Sequence, residues 1–334
     1  MGIEKITRNL RRPIRRGLCA AFGLALVWLA SPGFTQNVPS NTIRLIIPYS
    51  PGGSVDIVGR GIAQRYTQRT GKTVVVDNKP GAGGTIGTDA VVRANKDGQT
   101  LLLHTGTIAV ENAAGKKVPY ELHKDLVPIT MIANGPFALV VPSDFPAKNF
   151  SELIQYAKAN PGKLNYSSAG VGTSTHLAME LFKETAGIDV MHVPYKGGAP
   201  SLHAVAAGEV QMAFSPLVNA RPFNEVGRLR AIATSTQKRT NLWPELPSSL
   251  ESGLPAFSTS VWYGIFAQAG MPEKVMNQLS NDFRTIVNAD ETKQWLRTQG
   301  LDAVGDTPAD FRQKIDKEID VLQKMLNRTG IKIE

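Results

Sequence analysis

Short apolar runs that end in glycine-rich turns and then pass into helical periodicity set the terms for this chain. Ile43-Arg44-Leu45-Ile46-Ile47 reads as a strand and Pro48-Tyr49-Ser50-Pro51-Gly52-Gly53 as the turn after it. Val55, Val58, Ile62 and Tyr66 then recur at helical spacing. The turn therefore opens a helix over 54–70, with Ser54 as N-cap and Gly71 as the stop. The pattern repeats at once: a strand over 73–76, the turn Pro80-Gly81-Ala82-Gly83-Gly84, a helix through Ala94 and a strand over 101–103. Strands alternating with helices predict βαβ units and a mostly parallel sheet.

A second series starts near Phe137. A strand over 137–141 precedes Asn149 and Glu152, which are spaced as a capping box, and Asn160-Pro161-Gly162 ends that helix. A strand over 164–168 runs into Gly170-Val171-Gly172-Thr173-Ser174 and a helix through Ala186. Strands are expected over 190–194, 210–214 and 229–234, separated by helices from Ala199 and Pro216. After a strand over 261–267 come long helices over 272–288 and 307–329. Thr307, Pro308 and Asp310 start the second, and Gly330 ends it. A terminal helix pair returning to the first half makes that half discontinuous. We expect a first lobe of 37–135 plus 248–334 and an inserted second lobe of 136–247.

The N-terminus sets the compartment. Lys5, Arg8, Arg11, Arg12, Arg15 and Arg16 face one acid, Glu4, and an apolar run from Leu18 to Ala30 follows before Ser31-Pro32-Gly33. This is the pattern of a secretory leader, expected over 1–36. The run is shorter than the roughly 20 residues of a bilayer span. Export with a cleaved leader places the rest in the periplasm. Cys19, the single cysteine, lies inside the leader. Beyond it, thiol catalysis, thiolate metal sites and disulfides are excluded. Of the net charge of +9, the six bases and one acid of the first 16 residues account for five. The mild remainder shows no basic run interleaved with aromatics, which argues against nucleic-acid binding.

The two turns 51–56 and 170–176 carry the chemistry. Each joins a strand to a helix, and glycines let a ligand approach the backbone. The first N–H groups of a helix lack internal partners, and the helix dipole favours an anion there. Ser54, Thr173 and Ser174 add hydroxyls. Hydrogen bonds to a charged group are worth about 1.5–3 kcal/mol each. Four to six of them, less the cost of association, reach the roughly −8 kcal/mol of micromolar binding without any buried cation. The expected ligand is a small carboxylate.

Other chemistries find little support. No G-x-x-x-x-G-K-[ST] occurs, and Gly170-x-Gly172 lacks the third glycine of a dinucleotide fingerprint, so no cofactor is expected. His104, His123, His176, His192 and His203 have no metal-ligand spacing with acids. No G-x-S-x-G elbow surrounds Ser167 or Ser168. We expect no catalytic residue and no metal site. His176 either lines the cleft or braces its loop. Phe137, Phe214, Trp262 and Tyr263 are candidate walls for an aromatic ligand. Trp262 and Tyr263 are adjacent on a strand, so at most one of them faces the cleft.

Several ordered motifs resemble the solute-binding receptors of tripartite tricarboxylate transporters. They are Ile46 to Asp56, Asn78-Lys79-Pro80-Gly81-Ala82-Gly83-Gly84-Thr85-Ile86-Gly87, Ala157 to Tyr166, Gly172-Thr173-Ser174-Thr175-His176-Leu177, His192-Val193-Pro194-Tyr195-Lys196-Gly197-Gly198 and Trp262-Tyr263-Gly264. The resemblance implies a type II periplasmic-binding-protein fold of the α/β class, two lobes around a hinged ligand cleft. It implies a monomer that delivers its ligand to a permease of one large and one small membrane subunit. Projected on this chain, the ligand-binding set is Tyr49, Pro51, Gly52, Gly53, Ser54, Asp56, Gly83, Gly84, Gly170, Val171, Gly172, Thr173, Ser174, His176, Ser215 and Tyr263. Where relatives often carry Asp-Asn after the strand over 210–214, this chain has Ser215-Pro216. An acid there suits the ammonium of an amino acid, so its absence favours a plain di- or tricarboxylate, with an aromatic dicarboxylate as one form. The rival readings are a sensor subunit of a membrane signalling protein and a carboxylate-processing hydrolase.

Overall fold

The computed structural model describes residues 42–333; the expected leader lies outside them. Strand β1 (Thr42–Ile47) leads through the first glycine turn into helix α1 (Ser54–Thr70), and β2 (Thr73–Asn78) follows. A short 3-10 turn, Ala82–Gly84, opens α2 (Thr85–Val92), then come β3 (Thr100–Thr105), α3 (Thr107–Ala113) and α4 (Leu122–Asp125). The long strand β4 (Leu126–Pro142) is followed by α5 (Phe150–Ala159), β5 (Asn165–Ser168), α6 (Ser174–Ala186), β6 (Met191–Pro194) and α7 (Gly198–Ala206). Then come β7 (Ala213–Pro216), α8 (Leu217–Glu225), β8 (Leu229–Thr234) and β9 (Ser260–Gln268). The chain ends with α9 (Glu273–Asn288), α10 (Asp290–Thr298), β10 (Asp302–Ala303) and α11 (Pro308–Thr329).

Local signals set several of these bounds. Asn149 caps α5 by accepting the Glu152 amide at 2.9 Å. Thr307 caps α11 by accepting the Asp310 amide at 3.1 Å, and Gly330 ends it in the left-handed region at φ 68°. These are positions where a short hydroxyl or amide side chain and a residue without Cβ satisfy the open helix ends.

The principal sheet runs β10-β4-β9-β3-β1-β2, with β7 and β8 also pairing to β4, and β5 and β6 form a separate parallel pair. The expected mostly parallel sheet is corrected. β1 pairs β2 and β3 in parallel, but β9 and β4 pair with all their neighbours antiparallel. Alternation of element types does not encode direction. β9 arrives from far along the chain and inserts between β3 and β4.

β4 serves two partners in turn. Residues 126–136 pair with β9, and residues 137–142 pair with β7 and β8. The first half of β4 is missing from the sequence reading because Pro128, Asn134, Gly135 and Pro136 look like breakers. Register shifts at Pro128/Thr130 and Met131/Ala133 accommodate the irregularity. A Cβ on Gly135 would lie 2.8 Å from the Gly300 carbonyl oxygen, so only glycine lets the loop before β10 come this close. Trp262 and Tyr263 do point to opposite faces of β9. Trp262 packs with Phe266 and Phe311 under α11, and Tyr263 packs on the other side with Ile47 and Val55.

Candidate functional site

Three helices aim their N-termini at one small cavity. α1 starts from Gly53, which is extended (φ −78°, ψ 169°) and supplies no side-chain cap. Ser54, expected as the cap, is instead the first helical residue. The Gly53, Ser54 and Val55 amides consequently have no acceptor among the described residues. α7 starts from Gly197, again without a side-chain cap, and its Gly198 and Ala199 amides also have no acceptor there. The two ends abut: a Cβ on Gly53 would lie 3.7 Å from the Ala199 nitrogen and 3.8 Å from that of Gly198. α6 completes the set with Thr173, Ser174 and Thr175 on the cavity wall. Each helix N-terminus carries about half a positive charge. No acid lines the cavity among the described residues, so the three ends leave a positive potential that favours an anion.

The cavity measures about 40 Å³. Tyr49 and Ala169 also line an adjacent outer compartment of about 290 Å³, together with residues 81–84, Gly170, Val171 and Lys116. Buried polar atoms without partners cluster around the two spaces: the Tyr49 and Tyr263 hydroxyls, Asn219 Oδ1 and His104 Nε2. Tyr49 lies near Thr105 and Thr107, and Tyr263 near Ser54, without a well-formed hydrogen bond. Nearly all buried polar groups in folded proteins are paired, so orphans gathered at one place mark where a polar partner is expected.

The turns are braced from behind. Asp56 Oδ2 accepts from the Gly52 amide at 3.0 Å and from Arg60 Nε at 2.9 Å, and Asp56 Oδ1 accepts from Asn78 Nδ2 at 3.0 Å. These bonds hold its carboxyl below the usual range despite burial. In the second turn, His176 Nδ1 accepts the Gly172 amide at 3.2 Å, Thr173 Oγ1 donates to the Gly170 carbonyl at 2.7 Å, and Thr107 Oγ1 accepts the Ser174 amide at 3.1 Å.

Sequence-selected residues therefore divide. Gly53, Ser54, Thr173 and Ser174 line the inner cavity, Gly83, Gly84, Gly170 and Val171 the outer compartment, and Tyr49 both. Asp56, Gly52, Gly172 and His176 are engaged in bracing, and Pro51 is exposed at the turn. Ser215 is buried with its hydroxyl on the Pro216 carbonyl at 3.3 Å; Pro216 is the residue of that pair on the cavity wall. Tyr263 lies beneath Ser54. Of the other aromatics, Phe137 lines the cavity, whereas Phe214 stacks on Phe257 at 5.2 Å in the core.

Ser168 Oγ and His192 Nε2 lie 2.7 Å apart. The pair has the composition of a nucleophile and base but the wrong setting. Ser168 is fully buried and also bonds Gly170, and burial pushes His192 down to about 3, leaving it a poor base.

His104 Nδ1 lies 2.9 Å from the Thr105 amide and 3.1 Å from the Thr105 carbonyl. Burial pushes His104 down to about 4 and His176 below its ordinary value. In the unfolded chain these imidazoles protonate below about pH 6.5. The unfolded state then binds more protons, so stability falls as pH drops from 6.5 to about 4. Glu318, raised by burial to about 7, opposes this above its unfolded value of 4.5. The loss is therefore shallow to pH 4.5 and steeper below. Thermal midpoints across pH 7.5 to 4 should show this decline; a flat or rising profile would contradict it.

A family model described as the tripartite tricarboxylate transporter family receptor matches residues 58–331. The chain belongs to this receptor family. The protein BugT of Bordetella pertussis is 31% identical over 321 residues, covering 95% of this chain and 98% of BugT. The structure of R. palustris Rpa4515 with adipate is similar at 31% identity and a TM-score of 0.85, covering 89% of this chain and 99% of that one. MatC from Rhodopseudomonas palustris with bound malate is similar at 27% identity and a TM-score of 0.80, covering 85% and 98%. The receptor thus has the expected α/β periplasmic-binding-protein fold.

Some site residues of this receptor escape the sequence reading. Gly198 and Ala199 were legible in principle, because Tyr195-Lys196-Gly197-Gly198 has the same strand–glycine–helix signature as the other two turns. Asn219, Thr107 and His104 carry no local signal. Lys116, which places a part-buried cation on the outer compartment, also pairs with Glu111 and donates to the Ala82 carbonyl at 3.0 Å.

Proposed function

We propose that this receptor captures a small di- or tricarboxylate outside the cytoplasm and delivers it to a tripartite-type permease of one large and one small membrane subunit. The convergence of three helix N-termini, those of α1 and α7 without a side-chain cap, on a cavity without acids carries this reading. It supplies five unpaired amides from α1 and α7 and the orphan hydroxyls of Tyr49 and Tyr263 for a carboxylate. The adipate and malate bound by the two solved neighbours support the same ligand class. The basic and apolar N-terminus supports export to the periplasm.

Two lobes, 37–135 plus 248–334 and 136–247, would hinge where β4 passes from β9 to β7 and β8. Ligand would enter this cleft as the lobes part. Binding then completes the closed form that the permease reads. With no acid on the cavity wall, an ammonium group has no partner, and aspartate and glutamate should bind at least about tenfold more weakly than the matching plain dicarboxylates.

Mass spectrometry of small molecules released from the purified protein, followed by calorimetry with adipate, malate, citrate, phthalate, aspartate and glutamate, tests this. Micromolar binding of at least one plain carboxylate is expected. Binding restricted to amino acids, or turnover of a bound carboxylate, would overturn the reading.

A further inference from the structure

Behind the second turn lies a group of parallel rings for which the ligand contacts provide no use. Tyr166 of β5 stacks on His192 of β6 at 4.8 Å and 15°, and His192 stacks on His176 of α6 at 4.0 Å and 13°. Two imidazoles this close repel if both gain a proton, and their surroundings offer little compensation. Glu180 is the nearest acid, but it is occupied by the Tyr166 hydroxyl at 2.5 Å and by Lys183 Nζ at 2.8 Å, and Lys183 itself sits over the Tyr166 ring.

Each imidazole holds a different point of the turn. His176 Nδ1 accepts the Gly172 amide, which requires an unprotonated Nδ1. His192 Nε2 meets Ser168 Oγ, and that oxygen accepts the Gly170 amide at 3.1 Å. Gly170 and Gly172 both have positive φ, at 134° and 79°. They are the residues whose backbone a neighbouring side chain can most readily steer. Gly170, Val171 and Thr173 line the ligand spaces directly in front of them.

We propose that His176 and His192 are positioning residues for ligand binding: a stacked, neutral pair that sets the shape of the turn over 168–173 without touching the ligand. This rests on the reading of that turn as part of the carboxylate site. Burial, which pushes both rings below the ordinary histidine range, keeps the pair neutral at pH 7.

The test compares two substitutions at one position. His176→Asn places an amide oxygen near the site of Nδ1 and preserves the acceptor for Gly172. His176→Phe preserves the stacked ring and removes the acceptor. Calorimetry at pH 7.5 with adipate and malate should find the Asn variant within about threefold of wild type. The Phe variant should lose tenfold or more, even where the two have similar thermal midpoints. Nitrogen-detected NMR of the wild type should show an unprotonated His176 Nδ1 and two imidazole rings that stay neutral from pH 7.5 to 5. Equal affinity of the two variants, or histidines that titrate near pH 6.5, overturns the proposal. If the wild type binds neither probe, the carboxylate reading fails on its own, and the NMR titration still decides whether the pair holds the turn.

Discussion

Gly83→Val is expected to weaken dicarboxylate binding by about 30- to 100-fold while the receptor remains folded. A Cβ on Gly83 would lie 2.6 Å from the Val171 carbonyl oxygen, closer than real contacts allow, and 3.2 Å from Lys116 Nζ. Gly83 belongs to the turn after β2 and Val171 to the turn after β5, so the clash falls where the two turns meet over the outer compartment. It is relieved by moving the turns apart, which is the opposite of the closure proposed for ligand capture. Overpacking of this kind costs about 2–3 kcal/mol, and each 1.4 kcal/mol is a factor of ten in affinity. The left-handed backbone of Gly83, φ 70°, adds strain of about 1–2 kcal/mol for valine. That strain acts on the open and closed forms alike and lowers stability rather than affinity. Calorimetry with the ligand recovered from the wild-type protein checks the affinity. A loss below about threefold would show that the two turns do not close on the ligand.

Gly264→Ala should produce the largest loss of stability from the smallest change of side chain. Gly264 lies in β9, hydrogen-bonded to β3 on one side and β4 on the other. A Cβ there would lie 2.2 Å from Cζ and 2.5 Å from Cε1 of Phe311, which is fully buried. The strand cannot retreat without breaking pairs on both edges. Phe311, on the first turn of α11, is held between Trp262 at 5.2 Å and Phe266 at 5.3 Å. The expected cost is about 2–3 kcal/mol, which lowers the thermal midpoint by about 5–10 °C for a chain of this size. Adding Phe311→Leu should recover part of the loss by vacating the space. A midpoint within about 2 °C of wild type for Gly264→Ala alone would mean that α11 is not packed as described.

Much of the fold was legible because its signals are local. Helix α6 ends at the expected Ala186, β8 spans the expected residues, and α11 has the expected Thr307 and Gly330 caps. Each of these bounds depends on residues within a few positions of one another. The first half of β4 was not legible. Its proline and glycine residues are tolerated only because β9 and the segment before β10 lie alongside.

The same division runs through the site. Sequence alone determined that glycine-rich turns carry strands into helix N-termini, since backbone freedom without a Cβ and the unpaired amides of a first helical turn are properties of the local chain. It also determined the absence of any thiol beyond Cys19. Tertiary structure decided which amides stay free. Thr107 takes the Ser174 amide from across the fold while the abutting ends of α1 and α7 keep theirs, whereas Asp56 and His176 take the Gly52 and Gly172 amides within four residues. An amide's availability depends on whichever acceptor the fold brings within about 3 Å. Thr107 is 67 residues from Ser174, and no pattern within either segment records that they meet.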